Sequence, residues 1–207
     1  YSESGNAKYT DFSLSYAAYN GEKYIGDQIE SILPQLGRDD EIVVSDDNPA
    51  GKTRAAVEFY SAYDGRVRYV EGTGEGVCRN FENAILNCSG DVIFLCDQDD
   101  VWLPNKVERV MKAIENGADV VLHDAMMTDG ELNVTDESFF SLNGSKRGFV
   151  RNFLKNSYMG CCMAFRRDFE PAFMPFPKDL AMNDWWIGLN AELKGKVEFI
   201  YEPLIKH

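Results

Sequence analysis

Asp91-Val92-Ile93-Phe94-Leu95-Cys96-Asp97-Gln98-Asp99-Asp100 runs an apolar segment straight into three closely spaced carboxylates. The apolar part, bounded by Ser89-Gly90, reads as an interior strand. Val101-Trp102-Leu103-Pro104 follow, with Pro104 placed to open a helix. An open α/β sheet binds ligands outside the carboxyl ends of its strands. Acids crowded there repel one another unless they share a proton or a cation. A hard divalent cation that also carries substrate phosphates needs only one or two protein carboxylates. The stretch therefore predicts a metal–diphosphate site. The plainer alternative is a solvated acidic turn in which Asp99 or Asp100 caps the next helix.

The same rhythm extends to both sides. Phe12-Ser13-Leu14-Ser15-Tyr16-Ala17, Glu41-Ile42-Val43-Val44-Ser45, Arg66-Val67-Arg68-Tyr69-Val70 and Asp119-Val120-Val121-Leu122-His123 read as further strands. Residues 22–36 place Tyr24, Ile25, Ile29, Ile32 and Leu33 on one helical face. Residues 53–63, 76–87 and 105–116 read as helices in the same way. Strand–helix–strand repetition predicts an α/β fold, a single domain with a mostly parallel sheet and helices on both faces. After Met127 the rhythm changes. Residues 128–151 read as an excursion with little regular structure, and Cys161 to Arg166 as a strand. Residues 171–178 hold three prolines, so they form a loop whose Phe173, Met174 and Phe176 either pack on the core or touch lipid or acceptor. A helix over 184–194 and a strand over 197–201 close the chain.

A chain of 207 residues can bury a core as one domain. Its formal charge of -13 argues against a nucleic-acid binder, whose footprint is basic. It leaves room for an anionic substrate, since a metal can reverse the field in one cleft. Cys78, Cys88, Cys96, Cys161 and Cys162 are odd in number and lack metal-type spacing, which fits reduced thiols and a cytoplasmic setting. No stretch is long and apolar enough to span a bilayer. Residues 1–11 lack the parts of a signal peptide and read as a loose amino end or a cloning remnant.

Four segments, in order and spacing, resemble family 2 nucleotide-sugar glycosyltransferases of the metal-dependent A-type fold. They are Ala17-Ala18-Tyr19-Asn20-Gly21-Glu22-Lys23-Tyr24-Ile25, Asp46-Asp47-Asn48, Asp97-Gln98-Asp99-Asp100-Val101-Trp102-Leu103-Pro104-Asn105-Lys106 and Asn183-Asp184-Trp185-Trp186. The resemblance runs from Phe12 to the end. It is strongest to bacterial members that build cell-surface polysaccharides, rhamnosyltransferases among them. It implies a nucleotide-binding half over 12–127 and an acceptor-side half over 128–207, cut short at its carboxyl end. It implies inverting transfer from a nucleoside-diphosphate sugar, of UDP or dTDP type, to a saccharide or lipid-linked saccharide. Mn²⁺ or Mg²⁺ is the implied cofactor, and peripheral contact with the inner face of the plasma membrane the implied setting. Two departures stand out. The family usually has a hydroxyl residue at one of the positions of Ala17 and Ala18, and glycine with serine or threonine where this chain has Asn48-Pro49-Ala50. The family also tends to carry a histidine just beyond the position of His207.

Roles carried over by the resemblance each have a plainer counterpart. Asp47 matches the acid that accepts from a base imide N–H, or it stabilises a turn. Tyr19 stacks on a base, or is a strand-end aromatic. Ala17 and Asn20 belong to the donor loop. Arg79 matches a basic residue near the nucleotide. Asp97 contacts ribose or sugar, Asp99 ligates the metal, and Asp100 supports it or caps the helix. Gly160, in Tyr158-Met159-Gly160-Cys161-Cys162, lets backbone approach the donor sugar. Asp184 matches the general base that takes the acceptor's proton, or it caps its helix. Trp185 and Trp186 point to different sides of that helix, one inward and one a platform for the acceptor. His123 and Trp102 have packing roles as their plainer reading. Two competing functions share the fold. A sugar nucleotidyltransferase would want a glycine- and arginine-rich first loop, which Ala17-Ala18-Tyr19-Asn20 is not. A degenerate nucleotide-sugar-binding module would explain Ala17, Ala18 and Pro49, but not the presence of both Asp99 and Asp184.

Overall fold

The structure, a computed structural model, describes residues 9–207. Residues 1–8 of the expected loose end lie outside the described residues. Tyr9 belongs to the core cluster, and the Thr10 amide donates to Asp91.

The first half alternates as its sequence pattern predicts: β1 (Phe12–Ala18), α1 (Ile25–Ile32), β2 (Glu41–Asp46), α2 (Thr53–Tyr63), β3 (Val67–Glu71), α3 (Val77–Asn87) and β4 (Val92–Cys96). All residues of β2 and β4 are buried, as befits strands covered on both faces. Helix α1 is shorter than the apolar pattern, because Pro34 lacks an N–H and the chain tightens to a 3₁₀ turn over Leu33–Gln35. The two-residue β5 (Val101–Trp102) and α4 (Lys106–Glu115) follow the acidic turn.

The second half runs β6 (Val120–Thr128), β7 (Val134–Asp136), α5 (Phe139–Asn143), α6 (Phe149–Leu154), β8 (Met163–Arg166), α7 (Asn183–Lys194) and β9 (Val197–Lys206). The sheet order is β3-β2-β1-β4-β8-β6-β9-β5, with β7 beside β6. Strands β3, β2, β1 and β4 are parallel, β8 is antiparallel to both its neighbours, and β6 and β9 are parallel again. Thus the carboxyl ends of β1, β2 and β4 meet along one edge, which is where the sequence put its motifs.

Two expectations change. Strand β9 does not stop near Tyr201 but reaches Lys206, shifting register around Pro203 and pairing Lys206 with Val101. Residues 128–151 contain β7, α5 and the start of α6. Of the two readings of the 171–178 loop the core one holds: Phe173 is buried against Phe165, Phe169 and Phe176, and Phe176 is buried too.

Candidate active-site cleft

The edge formed by β1, β2 and β4 opens into a cleft of about 580 Å³ lined by Ala17, Ala18, Tyr19, Asp47, Gly74, Gly76, Val77, Asn80, Asp97, Gln98 and Asp99. Asn80 fastens this edge. It is buried on α3, donates to Ala18 O and Ser45 O, and accepts from Ser45 Oγ. Gly72 is needed for the chain to pass: a Cβ there would lie 2.8 Å from Asp46 O and Asp47 Cα. Asp47 accepts from the Gly74 and Gly76 amides at 2.7 and 2.9 Å, so its carboxylate shapes the loop that walls the cleft. Tyr19 stands at the rim, 60% exposed, with its backbone N–H on Gln98 Oε1. Gln98, which has no assigned role in the sequence reading, thereby joins the β1 loop to the acidic turn.

Three expected donor residues, Asn20, Arg79 and Gly160, are not in this lining. Asn20 has a positive φ of 53° and accepts from Asn48 Nδ2, and it does not line the cleft. Arg79 is turned away from it. Its guanidinium pairs with Glu82 and donates to Phe176 O and Pro177 O, which pins the 171–178 loop to α3. The cleft lining therefore holds three carboxylates and, among the described residues, no basic side chain.

The acidic turn is electrostatically loaded. Burial, with Asp100 and Asp99 nearby, pushes Asp97 up to about 7, against the opposing effect of His207. Asp99 is exposed and lines both this cleft and a second cavity of about 380 Å³ that also contacts Asp100 and His207. Asp100 is buried. Its Oδ1 lies 2.7 Å from His207 Nδ1, and its Oδ2 has no partner. That hydrogen bond raises His207 to about 8. The histidine facing the acids is thus His207 itself, carried there by the unexpected length of β9. Asp100, His207 and Cys161 offer ligand atoms within 4.8 Å of one another. Beneath the turn Lys106 is wholly buried, donating to Cys161 O at 2.9 Å with its ammonium 3.8 Å from the centroid of the Trp102 ring. His123 is buried too, its Nδ1 on Asp124 O and its Nε2 unpartnered, and burial holds it well below the usual histidine range.

Outside this lining, α7 and the segment before β8 bring Asp184 within electrostatic range of Asp97. Asp184 lies in the first turn of α7, half-buried, accepting from the Trp185 amide at 2.6 Å. Burial raises its carboxyl, against hydrogen bonds from Trp185, Asn156 and Gly160. Gly160 sits directly beside it, a Cβ there falling 3.6 Å from Asp184 Cβ. Asp184 is close enough to Asp97 to raise it further. Trp185 Nε1 donates to Asn152 O and Trp186 Nε1 to Phe173 O, and Trp186 packs on the core. Tyr158 is buried against α7, and a Cβ on Gly188 would strike its ring at 2.5 Å. The five cysteines are all free.

The model of the family described as "Glycosyl transferase family 2" matches residues 14–171. The chain belongs to glycosyl transferase family 2. It is 25% identical over 187 residues to the dTDP-rhamnosyl transferase RfbG of Shigella flexneri, covering 83% of this chain and 63% of that one. Among solved structures it resembles TarS residues 1–349 of S. aureus in complex with UDP, with a TM-score of 0.73 and 18% identity over 96% of this chain and 60% of that one. It also resembles the mannosyltransferase PcManGT of Pyrobaculum calidifontis in complex with GDP-Man and Mn²⁺, with a TM-score of 0.68 and 17% identity over 95% and 56%. At such identities these structures establish the glycosyltransferase A-type fold. The chain spans between 38% and 63% of the curated relatives RfbG and EpsE. Among the described residues, no helix of this family member is long and apolar enough to cross a membrane.

Proposed function

We propose that this domain transfers a sugar, with inversion, from a nucleoside diphosphate of UDP or dTDP type to a hydroxyl of a saccharide or lipid-linked saccharide acceptor. The observation that carries this reading is the cleft lined by three carboxylates without a basic side chain. A diphosphate fits such a surface only with a divalent cation between them. The residues suit one: Asp99 is exposed, Asp100 Oδ2 is buried without a partner, and His207 adds an imidazole. Asp99, Asp100 and His207 would hold Mn²⁺ or Mg²⁺, which when bound offsets charge on the departing nucleotide. Asp47 orients the base through the carboxylate that already shapes the Gly74–Gly76 loop, and Tyr19 offers a face for stacking. Asp97 faces ribose or sugar, and Gly160 lets the donor approach Asp184. Asp184 takes the proton from the acceptor hydroxyl, and its raised affinity for protons suits that task. No enzyme nucleophile is needed for a single displacement. The acceptor surface would lie at the inner face of the plasma membrane.

Calorimetry of UDP and dTDP binding, with and without Mn²⁺, tests the reading. Tight binding only with metal is expected, and Asp99→Ala should abolish the metal dependence while keeping the fold. Equal affinity in excess chelator would overturn the metal-bridged site. Metal-dependent binding without turnover of any nucleotide sugar would leave a binding module instead.

A further inference from the structure

Helix α6 is turned inside out. Its buried residue is polar: Asn152 is 0% exposed, donates to Lys146 O, Gly148 O and Glu192 Oε1, and accepts from the Ser157 amide. Its apolar residues face outward, with Val150, Phe153 and Leu154 exposed to 71%, 60% and 77%. Phe149 and Phe153 stack on each other, ring centroids 6.1 Å apart. A surface helix ordinarily does the reverse, laying its apolar stripe on the core.

Charge gives the exposed face a partner. The chain carries -13, yet residues 138–167 contain six basic residues and no Asp or Glu. Four of the six, Lys146, Arg147, Arg151 and Lys155, frame α6 and are exposed. Among the described residues none of the four enters an ion pair. Arg151 and Lys155 donate to Gly144 O and Asn143 O. Glu192, which joins α6 to α7, is taken up by Gly148, Asn152 and Tyr158. By contrast, the exposed Phe59 and Tyr63 stand beside Glu58 and Asp64.

We propose that α6 docks this domain on an anionic phospholipid surface, with Val150, Phe153 and Leu154 in the interface and the four cations on headgroup phosphates. An apolar face ringed by lysine and arginine is the pattern that lies in a membrane interface, and each cation near an anionic leaflet adds attraction that salt screens. A protein interface core is instead depleted of charge. The location has a purpose in the transfer reading, on which this last step alone rests. Asn152 O accepts from Trp185 Nε1 and Asn156 bonds Asp184, so the docked helix presents the base to hydroxyls held at the membrane.

Flotation of the intact chain with vesicles tests the surface. Binding to vesicles of phosphatidylcholine with about a third phosphatidylglycerol should exceed binding to pure phosphatidylcholine at least about tenfold and fall with salt. Lys146→Glu with Arg147→Glu should reverse that preference, and Val150→Ser with Leu154→Ser should lose binding by about tenfold, whereas Phe59→Ser should change nothing. Transfer to a water-soluble acceptor should survive in all three variants. That separates a failure of docking from a failure of the transfer reading. Equal binding to both vesicle types, or unchanged flotation of the helix variants, overturns the proposal. A change in oligomeric state in Val150→Ser with Leu154→Ser, with flotation unchanged, gives the face to a protein partner.

Discussion

The two walls of the candidate site, the strand ends on one side and α6–α7 on the other, are built by different means. On the β1–β4 side the chemistry stands at the ends of buried parallel strands. Ala17, Asp47 and Asp97 owe their places to backbone register, and Asn80 ties the strand ends by bonding carbonyls. On the α6–α7 side Asp184 is placed by side chains. Asn156, Trp185 on Asn152 O, Trp186 on Phe173 O and Tyr158 on Glu192 make up that wall. The first wall cannot change without disturbing the sheet. The second can be edited one contact at a time, so the two should respond differently to substitution.

The sharpest way to break this contrast is Asp184→Asn. The amide keeps the shape and polarity but cannot accept the acceptor's proton. Turnover should fall about 10²–10⁴-fold in kcat, with donor affinity and melting temperature near wild type. Near-normal turnover would remove Asp184 from the mechanism. A collapsed melting temperature would show that the second wall is as structural as the first.

A pair of glycines gives the next largest effect. In Gly72→Ala the new Cβ would lie 2.8 Å from Asp46 O and Asp47 Cα, against backbone at the carboxyl end of β2 that cannot yield. The expected loss is about 1–3 kcal/mol, the range for overpacking. In Gly160→Ala the Cβ would meet Asp184 Cβ at an ordinary 3.6 Å, so stability should stay within about 0.5 kcal/mol. Urea unfolding of both variants decides, and equal losses would erase the distinction between the walls.

The smallest effect sharpens the seam between the halves, where β6 carries His123. It is held neutral by burial, below its unfolded value of 6.5. Its contribution to stability is therefore present above pH 6.5. It is lost as pH falls from there toward the folded value, because only the unfolded chain takes up the proton. That one group should cost about 1.4 kcal/mol per pH unit over this window. His123→Asn should flatten the dependence between pH 6.5 and 5.5 in chemical denaturation. Equal slopes for both proteins would show that acid sensitivity arises elsewhere.

The first wall was legible in the sequence because its signals are local. An apolar run followed by a turn of acids marks a strand end whatever packs around it, as at Val92–Cys96 and Asp97. Asp184 was legible only through its motif. The partners that place it, Asn156, Gly160 and Trp185, lie partly in segments with no periodic pattern. Arg79 shows the cost of reading a residue by motif position. Its choice of Glu82 and the Phe176–Pro177 carbonyls depends on where a distant loop packs. The place of His207 was not legible for a related reason, since nothing near residue 201 announces that β9 continues past Pro203 to meet β5. The outward face of α6 was invisible as such, because an apolar stripe reads as core until the fold shows which side is covered.

Lys106 lies under all of this, closed off from water, its ammonium on Cys161 O and the face of Trp102 and within reach of Asp100. Burial lowers the hold of Lys106 on its proton, and the neighbouring thiols and Asp100 oppose that effect. The same ammonium gathers the acidic turn, the start of α4 and the approach to β8 at one point, so these three stretches keep or lose their arrangement together.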